Sequence, residues 1–186
     1  QRAPASARVW GNAPPKSTVT AKVKLDATKA VEASATADGD GAWEISLPPQ
    51  PATTGVTITI TTGTTITTTY TTDTAAGAAT AAPSNNSIVL EDVAFGDVWF
   101  CSGQSNMEFS MNTVFNAEEE IAASINYPQL RMATVQKAAA DTPQDDAHSK
   151  ASYAWGRSAP GAFERVGGAA FSYPSAVCYL FGRQLY

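Results

Sequence analysis

Histidine is nearly missing from this chain of 186 residues: His148 is the only one. Any chemistry that needs several imidazoles, such as a multi-histidine metal centre, is excluded. Cysteine is almost as scarce. Cys101 and Cys178 are the only two, too few for a disulfide framework and spaced for no zinc motif. Both lie in apolar surroundings; the plain expectation is two buried thiols, with one disulfide between them left open. Positive charge is also thin. Lys and Arg total 12 against 17 acids, the formal net charge is −5, and no basic run occurs. Binding to nucleic acid or to an anionic membrane surface therefore has no electrostatic basis. No apolar stretch approaches the roughly 20 residues that cross a bilayer. No charged-then-apolar leader follows Gln1, so the start reads as trimmed, and the end at Tyr186 reads as cut inside a helix.

What remains suits a globular fold, since 44% of the residues are hydrophobic, enough to build a core. The chain has two grammars. Residues 1–93 alternate apolar with small or polar side chains: Ser17–Leu25, Ala42–Leu47, Val56–Ile60 and Thr64–Thr67. Period two with β-branched residues predicts half-buried strands. Gly11-Asn12, Asp38-Gly39-Asp40-Gly41 and Thr62-Gly63 punctuate them as turns. Short strands without helices between them predict a small β-sandwich. The threonine-rich stretch Thr53–Thr74 reads as a hairpin whose core face is Val56, Ile58, Ile60 and Ile66. Residues 73–87 form a small-residue connector, which contains the one glycosylation sequon, Asn85-Asn86-Ser87.

From about Ile88 the pattern changes, and residues 94–186 form the second part. Val98-Trp99-Phe100 is a short continuous apolar run, as expected of a strand buried on both faces. Glu118–Ile125 predicts a helix with its acids in the first turn, Leu130–Val135 a strand, residues 136–170 a long loop region, and Pro174–Leu185 a closing helix with Pro174 in its first turn. Strand, helix, strand, helix is the opening of an α/β domain with a parallel sheet. The whole is an α+β chain in two parts.

The segment Gly96-Asp97-Val98-Trp99-Phe100-Cys101-Ser102-Gly103-Gln104-Ser105-Asn106-Met107-Glu108 carries the candidate chemistry. It predicts a strand, a tight turn at Gly103, and Ser105 just beyond, opening a helix. That places a hydroxyl at the edge of the sheet where α/β folds bind ligands, beside backbone N–H groups able to hold an oxyanion. Serine at that position equally suits a plain helix cap. Gln104 and Asn106 flank it, and each suits either a substrate contact or support of the turn.

This string resembles the nucleophile block of the sialate O-acetylesterase family. Val9-Trp10-Gly11, Ala37–Trp43, Leu47-Pro48-Pro49 and Ile88–Val93 resemble the β-domain that precedes it. Asp141-Thr142-Pro143, Trp155 and Phe171–Tyr186 resemble the family's segments on the C-terminal side of that block. The resemblance implies a truncated, flavodoxin-like SGNH-hydrolase domain after the β-sandwich. It implies a serine esterase acting without metal or cofactor on O-acetylated sialic acid or another acetylated sugar. Ser105 would be the nucleophile and its own N–H an oxyanion donor. It also implies an Asp-x-x-His pair far downstream, as base and orienter, and this chain has none in that place. Asp145-Asp146-Ala147-His148 fits the pattern but sits about 40 residues after Ser105 in a polar stretch with nothing to hold it, and reads as a solvated loop. The chain by itself is then expected to be inactive, and a second chain carrying the rest is a conceivable partner. A secreted or lysosomal setting is expected, the one sequon slightly favouring a secretory route.

Three other features have quieter readings. The four tryptophans, Trp10, Trp43, Trp99 and Trp155, could stack on sugars, but core packing is the expected role. Glu118-Glu119-Glu120 reads as a solvated helical turn rather than a metal site. Asp38–Gly41 reads as a turn rather than a calcium loop, lacking the later bidentate Glu. The rival to the enzyme is a non-catalytic carbohydrate-binding or structural module built on the β-domain.

Overall fold

The computed structural model describes residues 1–63, 87–135, 139–143, 155–165 and 174–186. The fold is a mixed α+β one with sheets and few helices, and it divides into two compact units, Gln1–Trp99 and Phe100–Tyr186.

The first unit is all β among its described residues. Its strands are β1 (Arg8–Asn12), β2 (Thr18–Lys24), β3 (Ala30–Thr36), β4 (Ala42–Ser46), β5 (Thr53–Thr62) and β6 (Ser87–Phe95). A four-stranded antiparallel sheet runs in the order β3-β2-β5-β6, and β1 pairs with β4 in a second, two-stranded antiparallel sheet. The expected alternation is what builds the core. Val19, Ala21 and Val23 of β2 and Val56, Ile58 and Ile60 of β5 point one way. Trp43 and Ile45 of β4 meet them in a single cluster with Leu47, Ile88 and Phe95.

Two turns differ from expectation in instructive ways. Asp38-Gly39-Asp40-Gly41 does turn the chain from β3 to β4. The Asp38 carboxylate accepts from the N–H groups of Asp40 and Ala42, both at 2.9 Å. Gly41 has φ 89°, and a Cβ there would stand 2.5 Å from the Ala13 carbonyl oxygen, so glycine is required. Gly11-Asn12, by contrast, is not a turn but the end of β1. The Trp43 ring lies against Gly11, where a Cβ would come within 2.9 Å of it. This glycine makes room for a neighbour rather than for a bend. The threonine-rich hairpin is seen only as β5; its return, including Ile66, and connector residues 73–86 lie outside the described residues.

The second unit holds α1 (Ala117–Ala123), extended by a 3-10 turn to Asn126, then β7 (Arg131–Met132), β8 (Gly156–Arg157), α2 (Pro160–Arg165) and α3 (Ala176–Leu185). Helix α1 falls where the acids predicted it, and Glu120 pairs with Arg183 of α3. Helix α3 starts later than expected. Pro174 precedes it, and Ser175 is the cap, its hydroxyl accepting from the Cys178 N–H at 3.3 Å. Helix α2 and strand β8 lie in a stretch read as loop.

The expected parallel sheet is not seen among the described residues. No parallel pair occurs among them; β7 with β8 and the isolated bridge between Ser110 and Ser175 are both antiparallel. Val98-Trp99-Phe100 is not a strand, and Phe100 is 88% exposed. A strand at the centre of a sheet is covered on both faces, and Val98 and Trp99 are more than half exposed as well. Among the described residues of this unit, Met111, Phe163, Ala176 and Tyr179 are buried together. Phe163 and Tyr179 meet edge to face at 4.8 Å between centroids.

Candidate active site

Ser105 stands in the second unit at the start of a 3-10 turn, Ser105–Met107. The chain enters through Gln104 in extended conformation, φ −140° and ψ 177°, and then reverses. Two bonds close the turn: Met107 N–H to the Gln104 carbonyl and Glu108 N–H to the Ser105 carbonyl, both 3.0 Å. Ser105 itself has φ 52°, in the left-handed region. Residues other than glycine avoid that region because Cβ crowds the backbone, at a cost on the order of 1–3 kcal/mol. The serine, Gln104 and Asn106 are all exposed.

The sequence placed Ser105 at the mouth of a helix, and this is corrected. Three residues of 3-10 turn sum too few peptide dipoles to hold an anion. What the turn does offer is the Ser105 N–H, which has no acceptor within the turn and lies next to the hydroxyl it would serve.

Four ties hold this loop. Cys101 and Cys178 form a disulfide across 77 positions, with their Cα atoms 5.9 Å apart. The expectation of two buried thiols is thereby overturned: α3 brings Cys178 onto the segment before the turn. The Ser175 hydroxyl lies 3.4 Å from the Met107 sulfur. The Ala176 N–H bonds the Phe109 carbonyl at 2.7 Å, and the Met111 N–H bonds the Pro174 carbonyl at 3.1 Å. Gly103 permits the approach, since a Cβ on it would lie 3.0 Å from the Met107 Cβ. The whole segment from Cys101 to Met111 is thus stitched to the first turn of α3. Neither the disulfide nor the Ser175 contact was visible in the spacing; only the apolar company of both cysteines hinted at proximity.

Asp145, Asp146 and His148 lie outside the described residues. Among the described residues no group of three or more His, Cys, Asp or Glu side chains is placed to hold a metal. Of the tryptophans, only Trp43 is buried, at 8% exposure. The core role expected of Trp10, Trp99 and Trp155 is corrected, since all three are exposed. For Trp10 the cause is strand alternation. Val9 and Gly11 take the inner face of β1, leaving Trp10 on the outer one.

The fold resembles that of a carbohydrate acetylesterase from Xanthomonas citri, with a TM-score of 0.71 and 23% sequence identity over 97% of this chain and 33% of that one. No family model matches the chain. Curated relatives do. The human sialate O-acetylesterase is 30% identical over 188 aligned residues, spanning 100% of this chain and 32% of its own length. The mouse sialate O-acetylesterase is 37% identical over 107 residues, 58% of this chain and 19% of its own. The chain is a homologue of the sialate O-acetylesterases, and its sequence aligns with about a third of their length.

Proposed function

We propose that this chain supplies the nucleophile of a carbohydrate O-acetylesterase whose substrate is an O-acetylated sialic acid or a related acetylated sugar. The observation that carries the reading is Ser105: exposed, in strained left-handed backbone, on a loop that a disulfide and the N-terminal turn of α3 hold rigid. Strained backbone of this kind clusters at functional sites, and at Ser105 it coincides with the exposed hydroxyl and the ties of the loop.

The Ser105 hydroxyl adds to the acetyl carbonyl, and its proton passes to a base. The carbonyl oxygen becomes an oxyanion that the Ser105 N–H stabilises. Collapse expels the sugar alcohol, which takes the proton, and leaves acetyl-serine. Water then attacks the acetyl group, releasing acetate and restoring the hydroxyl. Gln104 and Asn106, exposed on either side, are suited to hydrogen-bond the sugar. No metal enters this sequence.

The base is the part this chain does not provide in the family's order. A serine without it retains only what binding and oxyanion donors contribute, so the chain alone is expected to hydrolyse esters feebly. A downstream Asp-x-x-His, on the same polypeptide or on a second chain, would complete the triad. The Cys101–Cys178 disulfide favours an oxidising compartment, in keeping with a secreted or lysosomal setting.

The test is acetate release from O-acetylated sialic acid and from an aryl acetate. It is run on the chain alone and on the polypeptide read through past Tyr186 to an Asp-x-x-His, each with and without Ser105→Ala. The expected result is strong activity in the longer form and a loss on the order of a thousandfold or more on substitution. Hydrolysis by the longer form that survives Ser105→Ala overturns the reading.

A further inference from the structure

Strand β1 meets β4 in register, Trp10 opposite Glu44 and Arg8 opposite Ser46. Residues opposite one another across an antiparallel pair point to the same face, as do alternate residues along a strand. Arg8, Trp10, Asn12, Glu44 and Ser46 therefore share one face, and all are exposed. The opposite face carries Trp43 and Ile45 into the core. Trp10 stands at the centre of the outer face, 69% exposed. Beside it opens a cleft of about 540 Å³ lined by Gln1, Ser6, Ala7, Arg8, Trp10, Glu44 and Val98. That volume lies within the range of small-molecule sites, about 300–1,000 Å³.

The chemistry of this cleft narrows the occupant. The Arg8 guanidinium is hydrogen-bonded to both oxygens of Glu44, at 3.2 and 3.3 Å. These two side-chain charges offset each other, so the Arg8–Glu44 pair singles out neither a phosphate nor a cation. A nucleic acid would demand an excess of positive charge. A protein partner would need a broad apolar patch, and apart from the indole the apolar lining is only Ala7 and Val98. What remains is a flat apolar plate rimmed by paired donors and acceptors: the Arg8 N–H groups, the Glu44 carboxylate and the Ser6 hydroxyl. A neutral pyranose presents the complement, a C–H face for the indole and hydroxyls that both give and accept hydrogen bonds.

We propose that the outer face of β1–β4 is a binding site for neutral glycans, centred on Trp10 and independent of Ser105. Its test is distinct from that of the esterase. The chain is titrated with gluco-, xylo-, galacto- and manno-oligosaccharides and with sialyllactose, following tryptophan fluorescence and calorimetry. At least one neutral oligosaccharide is expected to bind. Trp10→Ala should weaken it about tenfold, while Trp10→Phe keeps most of the affinity. Arg8→Ala should weaken it severalfold, and Ser105→Ala should leave it unchanged. Trp10 is exposed, so its variants should melt with the parent. The proposal is overturned if no neutral sugar binds, if only the sialylated one does, or if Trp10→Ala and Arg8→Ala bind like the parent. It is also overturned if Ser105→Ala abolishes binding. Sugar binding that persists where acetate release does not depend on Ser105 would uphold this site and remove the esterase reading alone.

Discussion

The two units hold themselves together by different means. Among the described residues, the first has a dozen buried apolar side chains in one cluster, ten from four strands and two, Ala37 and Leu47, just beyond strand ends, and no covalent help. Among its described residues the second gathers four in its cluster and adds a disulfide between a loop and a helix. A broad sheet can distribute its stability, so that no single contact is indispensable. A small core cannot, and each of its contacts becomes a large share of the whole. The loop expected to do chemistry belongs to the second unit. Its geometry is costly in backbone conformation and is held by local ties rather than by depth of burial.

The sharpest way to break this comparison is to remove one side chain from each core. Phe163 is fully buried against Tyr179. Phe163→Ala is expected to cost about 3–5 kcal/mol, enough to unfold the second unit. Leu47→Ala, equally buried in the first, should cost about 2–5 kcal/mol yet leave a cooperative sheet. Hydrogen exchange or NMR, which report each unit separately, would show the contrast. If Phe163→Ala leaves the amides of α3 protected, the second core is stronger than its size suggests.

Next in size is the staple. Reduction, or Cys101→Ser with Cys178→Ser, should cost the second unit about 2–4 kcal/mol, since the bridge closes a loop of 77 positions. The first unit should melt as before. Gly103→Ala sharpens the point without touching the staple. Its Cβ presses on Met107 and displaces Ser105, and a shift of about 1 Å in a reacting group can cost about a hundredfold in rate. In a form that completes the proposed triad, kcat should fall while the melting temperature changes little. An unchanged kcat would mean that the loop tolerates far more slack than its four ties imply.

The same contrast governs what the sequence could tell. The strands of the first unit were legible because a sheet with one wet face writes its burial as alternation; Val19, Ala21 and Val23 announce themselves. The placement of Trp10 was not, because β1 is five residues long and its inner face is Val9 and a glycine. A glycine inside a strand conceals the phase. In the second unit, α1 was legible from its leading acids and α3 from the proline near its start, although Pro174 precedes the helix rather than lying in its first turn. Helix α2 was hidden by Pro160 and Gly161, although a proline at the first helical position is itself a start signal. Val98–Phe100 misled for a different reason: a continuous apolar run states that a strand would be buried, not that neighbours are present to bury it. For the candidate site, the string around Ser105 pointed to the residue. The strain and the ties depend on contacts between Cys101–Met111 and α3, some 70 positions apart, which no local pattern encodes.

The smallest expected effects test whether local hydrogen bonds matter equally in the two units. Ser175→Ala removes the cap of α3 and should cost about 1 kcal/mol, felt by the second unit because the same residue supports Met107. In the first unit the corresponding device is the β2–β3 turn. There the Asp26 carboxylate accepts from the N–H groups of Thr28 and Lys29, both at 2.7 Å, and from the Thr28 hydroxyl at 2.9 Å. These bonds, led by that from the Thr28 N–H, favour the ionised form and hold the carboxyl below its ordinary value of 3.8. A group whose folded value is depressed adds stability above its unfolded value and loses it as pH falls through the folded one. Asp26→Ala should therefore weaken the first unit slightly near neutral pH, and the difference from the parent should shrink as the pH drops below about 3.8. A difference that stays constant across that range would show the turn is held by its backbone alone. The broad sheet would then need no side-chain ties at all, which is the strongest form of the contrast with the loop around Ser105.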